Sequence, residues 1–122
     1  MARTVLVVDD SVSTRQFVSF SLKAAGYEVV SAVHGREALE KLDGARFDMV
    51  ITELNMAEMS GIEFIKQVRS KFEKSGMPIV MLTTESQELE KQEGQKAGAS
   101  GWIVKPFTPQ QLVKVVKEFT RQ

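Results

Sequence analysis

Three carboxylates and one ammonium group stand at the ends of apolar runs in this chain. Asp9 and Asp10 follow Val5-Leu6-Val7-Val8, Glu53 follows Met49-Val50-Ile51-Thr52, and Lys105 follows Gly101-Trp102-Ile103-Val104. Carboxylates brought together in this way suit a divalent cation, and a cation beside an ammonium suits a phosphoryl group. Adjacent aspartates in apolar surroundings repel each other and desolvate badly unless a cation sits beside them. Mg²⁺ answers that need, because it takes few protein carboxylates and keeps several waters. Taken alone, Asp9-Asp10-Ser11 reads equally well as the first turn of a helix complementing its dipole.

Three further residues border this set. Thr83 ends the run Ile79-Val80-Met81-Leu82 and offers a hydroxyl, which in isolation would serve only its own loop. Lys105 precedes Pro106, which keeps it out of the helical region and extended at a strand end. Trp102, the sole tryptophan, lies three residues before Lys105. It reads either as core packing or as a rotamer switch responding to Thr83. His34, the sole histidine, stands beside a glycine, reads as a surface residue and receives no role.

The elements that must position these groups alternate along the chain. The β-branched run Val5 to Val8 marks a strand buried on both faces. A helix follows over residues 13–25, with Phe17, Val18, Phe20, Leu22 and Ala25 near helical spacing, and Gly26 is placed for a left-handed cap. The second strand runs from Tyr27 to Ala32, and a short helix from Gly35 to Leu42 buries Ala38, Leu39 and Leu42. Met49 to Thr52 forms the third strand, and Ile62, Ile65, Val68 and Phe72 define the third helix. Pro78 opens the fourth strand, Ile79 to Thr83, and Gly101 to Val104 forms the fifth. Thr108 caps the last helix with Pro109 at its first position, where a missing N–H costs nothing.

Five strand–helix units in succession imply parallel pairing with right-handed crossovers in a single domain spanning residues 1–122. Parallel strands gather their carboxyl ends at one edge, where such folds place their ligand sites. The fourth helix, over about residues 86–97, is expected to differ from the others. Only Leu89 and Ala97 anchor it, and Gly94 costs it about 1 kcal/mol relative to alanine. It is either a solvated helix or a weakly docked element that can shift at little cost.

Composition narrows the classes. At 122 residues with 43% hydrophobic content, the chain can build a core and is too apolar to be disordered. Net charge is zero, so no global field favours nucleic acid or an anionic membrane. Absence of cysteine excludes a disulfide framework and thiolate metal sites. No apolar stretch approaches the ~20 residues of a spanning helix, and no signal-peptide pattern opens the chain. A soluble cytoplasmic monomer is expected.

In order, Val7-Val8-Asp9-Asp10-Ser11, Asp48 through Glu53 into Leu54-Asn55-Met56, Leu82-Thr83-Thr84 and Val104-Lys105-Pro106-Phe107 resemble the receiver domain of two-component response regulators. The resemblance is to the single-domain, CheY-like chemotaxis type and covers nearly the whole chain. It implies an α/β fold of the doubly wound, flavodoxin-like kind: a three-layer (βα)5 sandwich with parallel sheet order 2-1-3-4-5. It implies that Asp9, Asp10, residue 53 and the backbone carbonyl of Asn55 bind Mg²⁺, Asp10 more directly than Asp9. By the same resemblance residue 53 is the phosphoacceptor position, Thr83 bonds the phosphoryl group, Lys105 pairs with it and Trp102 is the switch aromatic. Such a module is a signalling domain rather than an enzyme. Its expected partners are a sensor histidine kinase and an effector such as a flagellar motor switch protein, reached through the surface of the fourth helix, fifth strand and fifth helix.

Two departures stand out. The acceptor is normally aspartate, and here it is Glu53; proline usually follows Met56, and here it is Ala57. Glutamate carries its carboxylate about 1.5 Å further out, one carbon–carbon bond. Misplacement by about 1 Å can slow an in-line attack roughly 100-fold. Phosphotransfer to Glu53 is therefore expected to be slow or absent. The longer side chain is expected to carry its charge toward Thr83 and Lys105, an incomplete imitation of a phosphoryl group. A plain Glu53–Lys105 ion pair without signalling consequence is the simpler expectation, and Ala57 is expected to loosen its turn.

Other classes fit less well. A phosphatase of the aspartyl-phosphate kind needs alternating aspartates after the first strand, where this chain has adjacent ones. A flavodoxin-like cofactor binder needs a glycine-rich phosphate loop, which Val12-Ser13-Thr14 does not supply. A phosphorylation-independent interaction module, a pseudo-receiver, remains the main alternative because of Glu53.

Overall fold

In the computed structural model, which describes residues 2–71, 76–84 and 87–120, the apolar runs form strands β1 (Thr4–Val8), β2 (Glu28–Ala32), β3 (Met49–Glu53), β4 (Ile79–Thr83) and β5 (Gly101–Val104). Between and after them lie helices α1 (Val12–Ala24), α2 (Gly35–Gly44), α3 (Gly61–Lys71), α4 (Glu88–Ala97) and α5 (Pro109–Thr120). All strand pairs are parallel, in the order β2-β1-β3-β4-β5. This is the flavodoxin-like topology expected from the sequence.

Strand alternation divides the core into two layers. Leu6, Val8, Val50, Ile79 and Met81 face α2 and α3, against Leu39, Leu42, Phe64, Ile65 and Val68. Val5, Val7, Met49, Ile51, Val80, Leu82 and Ile103 face α1 and α5, against Val18, Leu22, Leu112 and Val116. The central strands are buried along their whole length. That is why they read as unbroken apolar runs rather than as alternating ones.

Local chemistry fixes the helix ends. Ser11 Oγ accepts the Thr14 N–H at 3.3 Å to start α1, and Gly26 follows its last turn at φ 98°. Thr108 and Gln111 form a capping box: Thr108 Oγ1 accepts the Gln111 N–H at 3.1 Å and Gln111 Oε1 accepts the Thr108 N–H at 2.9 Å. His34, given no role from sequence, caps α2 by accepting the Glu37 N–H on Nδ1 at 3.1 Å. Glu37 in turn accepts the Val33 N–H at 2.7 Å, and this bond lowers its pKa.

Several packing expectations are corrected. Phe20 is 77% exposed, and Phe17 leans outward onto Phe107, with ring centroids 5.7 Å apart. Leu89 does not anchor α4: it is 73% exposed, because it lies on the side of the helix turned away from the buried Gly94. The buried residue of α4 is Gly94, whose missing side chain leaves room for Met81. Trp102 is exposed rather than in the core, with the Lys91 ammonium 5.6 Å from its ring. Phe72 and residues 85–86, placed by sequence in the third helix and at the start of the fourth, lie outside the described residues.

Gly61 opens α3 directly against β3. A Cβ built there would lie 2.3 Å from the Glu53 carbonyl oxygen, a backbone atom that cannot move aside alone. Gly61→Ala should therefore destabilise the protein by about 1–3 kcal/mol, read as a lower urea midpoint at unchanged slope.

Candidate functional site

Register brings the site together. Val8 lies beside Thr52, so the next residues, Asp9 and Glu53, are neighbours at the carboxyl edge. Glu53 lies beside Leu82, and Thr83 beside Val104, one residue before Lys105. The Lys105 N–H continues the ladder to the Thr83 carbonyl at 2.7 Å. Four strands, β1, β3, β4 and β5, thus deliver Asp9, Glu53, Thr83 and Lys105 to one edge.

Glu53 is 8% exposed, and a carboxylate this buried needs compensation. Its Oε1 is ion-paired with the Lys105 ammonium. Its Oε2 accepts the N–H of Leu54 at 3.1 Å and, more weakly, that of Asn55 at 3.5 Å. The sequence expectation is met in half: Glu53 reaches Lys105, but the Thr83 hydroxyl, fully buried, has no partner among the described residues. Alternation gives the reason. Thr83 follows Ile79 and Met81, on the α3 side of the sheet, whereas Glu53 follows Met49 and Ile51, on the α1 and α5 side.

Asp9 is 1% exposed. Its Oδ1 accepts the Ser11 N–H at 2.8 Å, and its main-chain carbonyl accepts Arg15 Nη1 at 2.6 Å. Its Oδ2 is buried without a donor. Its pKa is raised to about 6, chiefly by desolvation and also by the nearby Glu53 charge, against the lowering effect of the Ser11 N–H. A proton shared with Glu53, or a cation, is what would satisfy the unmet lone pairs of Asp9 Oδ2. The donor set at this point therefore fits a hard divalent cation. Asp9 Oδ2 and Thr83 Oγ1 are the two buried side-chain polar atoms without a partner among the described residues, and both lie at this edge.

Asp10 is not part of that cluster. It is exposed, and its Oδ2 accepts the Ala57 N–H at 3.4 Å. Among the described residues no three acidic or imidazole groups converge closely enough to hold a metal ion. Asp9, Asp10 and Glu53 therefore do not close on a common centre in this arrangement. Asn55 contributes its N–H to Glu53. Sequence reasoning missed Ser11, Leu54 and Gly61 as supports of the site. Of these only Ser11 left a readable sign, as the serine two residues after an aspartate that such turns favour.

With fold and edge in place, the comparisons agree. The response regulator receiver domain family matches residues 5–117, and the chain belongs to that family. Among curated relatives, chemotaxis protein CheY1 of Helicobacter pylori is 47% identical over 110 residues, covering 88% of this chain and 89% of that protein. A CheY homologue of Campylobacter jejuni is 40% identical over 116 residues, covering 93% and 89%. Among solved structures, chemotaxis response regulator CheY4 of Vibrio cholerae superposes with a TM-score of 0.92 at 50% identity, covering 98% of this chain and 99% of that one. The chain is thus a CheY-like receiver domain. Among the described residues no helix is long and apolar enough to cross a membrane.

The Asp9 environment predicts a pH signature. Its folded pKa of about 6 exceeds its ordinary 3.8, so between those values the folded state binds more protons and stability falls as pH rises. In the presence of a chelator, Asp9→Asn keeps an acceptor for the Ser11 N–H and removes this loss. The variant should be more stable than the parent by about 1–3 kcal/mol at neutral pH, the advantage vanishing toward about pH 4. Urea titrations across that range read it.

Proposed function

We propose that the chain is a two-component response regulator in which Glu53 occupies the phosphoacceptor position and holds Lys105 in the way a phosphoryl group would. The observation that carries this reading is the Glu53–Lys105 ion pair, with two N–H donors on the other carboxylate oxygen. Lys105 and those N–H groups are the donors an anionic group at this edge would use. Glu53 already occupies them, and its extra methylene displaces the nucleophilic oxygens. Phosphotransfer to it is slow or absent. The imitation is partial, because the Thr83 hydroxyl stays unengaged.

Mg²⁺, held by Asp9 and Glu53 with Asp10 and the Asn55 carbonyl as further ligands, would neutralise charge on a bound phosphoryl group. Of the chain's own groups, Lys105 supplies fixed positive charge and Thr83 a hydroxyl on the side of the sheet that carries Met81. Met81 lies under Gly94 of α4, so a pull on Thr83 would be felt where α4 rests on the sheet. Output through α4, β5 and α5 fits this path, with Leu89 and Trp102 exposed on that surface. A histidine kinase as donor and an effector such as a flagellar motor switch protein as receiver suit the CheY-like kinship, as does a cytoplasmic monomer acting by contact rather than as an enzyme.

The second reading is a phosphorylation-independent interaction module. It is favoured by the same ion pair, in which the Lys105 ammonium is already taken up by Glu53. Intact-mass measurement after incubation with Mg²⁺ and acetyl phosphate separates the two. The parent should show little or no phosphoryl adduct, and Glu53→Asp should be labelled, roughly 100-fold faster if about 1 Å of misplacement is removed. Failure of Glu53→Asp to take label overturns the receiver reading and leaves the constitutive module.

A further inference from the structure

Asp10 is the carboxylate that the geometry holds away from the edge. Its Oδ2 accepts the N–H of Ala57, in the loop between β3 and α3, at 3.4 Å. Residue 57 can make this bond because it has an N–H, which proline lacks. The sequence suggested that alanine would loosen this turn, yet the structure gives it a tie that proline could not form.

The loop is built to present that amide. The Met59 N–H returns to the Ala57 carbonyl at 2.8 Å, with Glu58 between them at φ 71°. This is a tight three-residue turn in a backbone region that residues other than glycine rarely adopt. Glu58 is held from outside by Arg36 of α2 at 3.2 Å, and the far end of the loop is fastened by the Gly61 N–H on the Leu54 carbonyl at 2.8 Å. A strained turn persists where its surroundings fix it, and here they fix residue 57 against Asp10.

We propose that the Ala57 amide is a latch on Asp10, which exchanges this hydrogen bond for a divalent cation when the edge is loaded. The inference rests on reading the edge as a Mg²⁺ site. Ala57 is then a positioning residue: it tunes affinity by competing for the Asp10 carboxylate, not by touching the ion. Because coupling is reciprocal, cation binding also releases the β3–α3 loop, and through Glu58 and Arg36 the release reaches the surface of α2. An orienting hydrogen bond to a ligand that stays in place would behave oppositely, since its loss weakens metal binding.

Two measurements test this. Isothermal titration with Mg²⁺ alone should show Ala57→Pro binding about fivefold more tightly than the parent, the loss of one competing hydrogen bond. Amide hydrogen exchange on the parent, followed by NMR, should show the Ala57 N–H exchanging faster at saturating Mg²⁺ than in chelator. This second measurement decides the matter even if the proline variant folds poorly. Equal or weaker binding by a folded Ala57→Pro, or slower exchange at Ala57 with Mg²⁺, overturns the latch and leaves the cation site standing. Absence of any Mg²⁺ response in both proteins overturns the site and the latch with it.

Discussion

A carboxylate buried at the end of a central strand must be met by positive charge, and at this edge Lys105 meets it. Desolvating Glu53 alone would be costly, and removal of a partner from a buried pair is commonly worth several kcal/mol. Lys105 is the only cation paired with Glu53 among the described residues. The ion pair therefore joins two strands that are not neighbours in the sheet, β3 and the end of β5, across β4. Around it the remaining site chemistry falls into place. Asp9, beside Glu53, is left with an unmet oxygen and a raised pKa, and Thr83, on the opposite face, is left with an unmet hydroxyl. The edge thus holds one satisfied anion and two unsatisfied oxygens, on opposite faces of the sheet.

The fold's contribution is register. Parallel strands of nearly equal length end together, so residues at or one step past the strand ends gather along one edge. Alternation then sorts the side chains. Asp9, Glu53 and Lys105 follow residues of the α1 and α5 layer, and Thr83 follows residues of the layer containing Met81. That sorting gives Thr83 its mechanical position. It shares a face with Met81, and Met81 fills the space that Gly94 leaves in α4. The far end of α4 is tied to α3, where Arg69 donates to the Gly98 carbonyl at 2.8 Å, while Leu89 at its start is exposed.

Much of this was legible in the chain. Continuous β-branched runs announced buried parallel strands, and carboxylates at their ends announced the edge. Glu53 and Ala57, read from sequence as departures from the expected pattern, both make hydrogen bonds at or beside this edge. What stayed hidden depended on three-dimensional approach. The closeness of Gly61 to the Glu53 carbonyl has no local sequence signature. His34 became a helix cap only through its loop geometry, and Leu89, read as an apolar anchor of the fourth helix, faces solvent. At residue 57 the sequence spoke only to backbone freedom, and the donor that alanine supplies to Asp10 emerges only from the approach of the two loops.

The central claim is that Glu53 and Lys105 act as one unit, and a double-mutant cycle with Glu53→Gln, Lys105→Met and the pair, measured by urea unfolding, tests it most directly. The ion pair predicts a coupling energy of about 1–3 kcal/mol, with each single substitution costing more than its share of the double. Additive effects with no coupling would contradict it, and would show that Glu53 neither occupies Lys105 nor stands in for an anion at this edge.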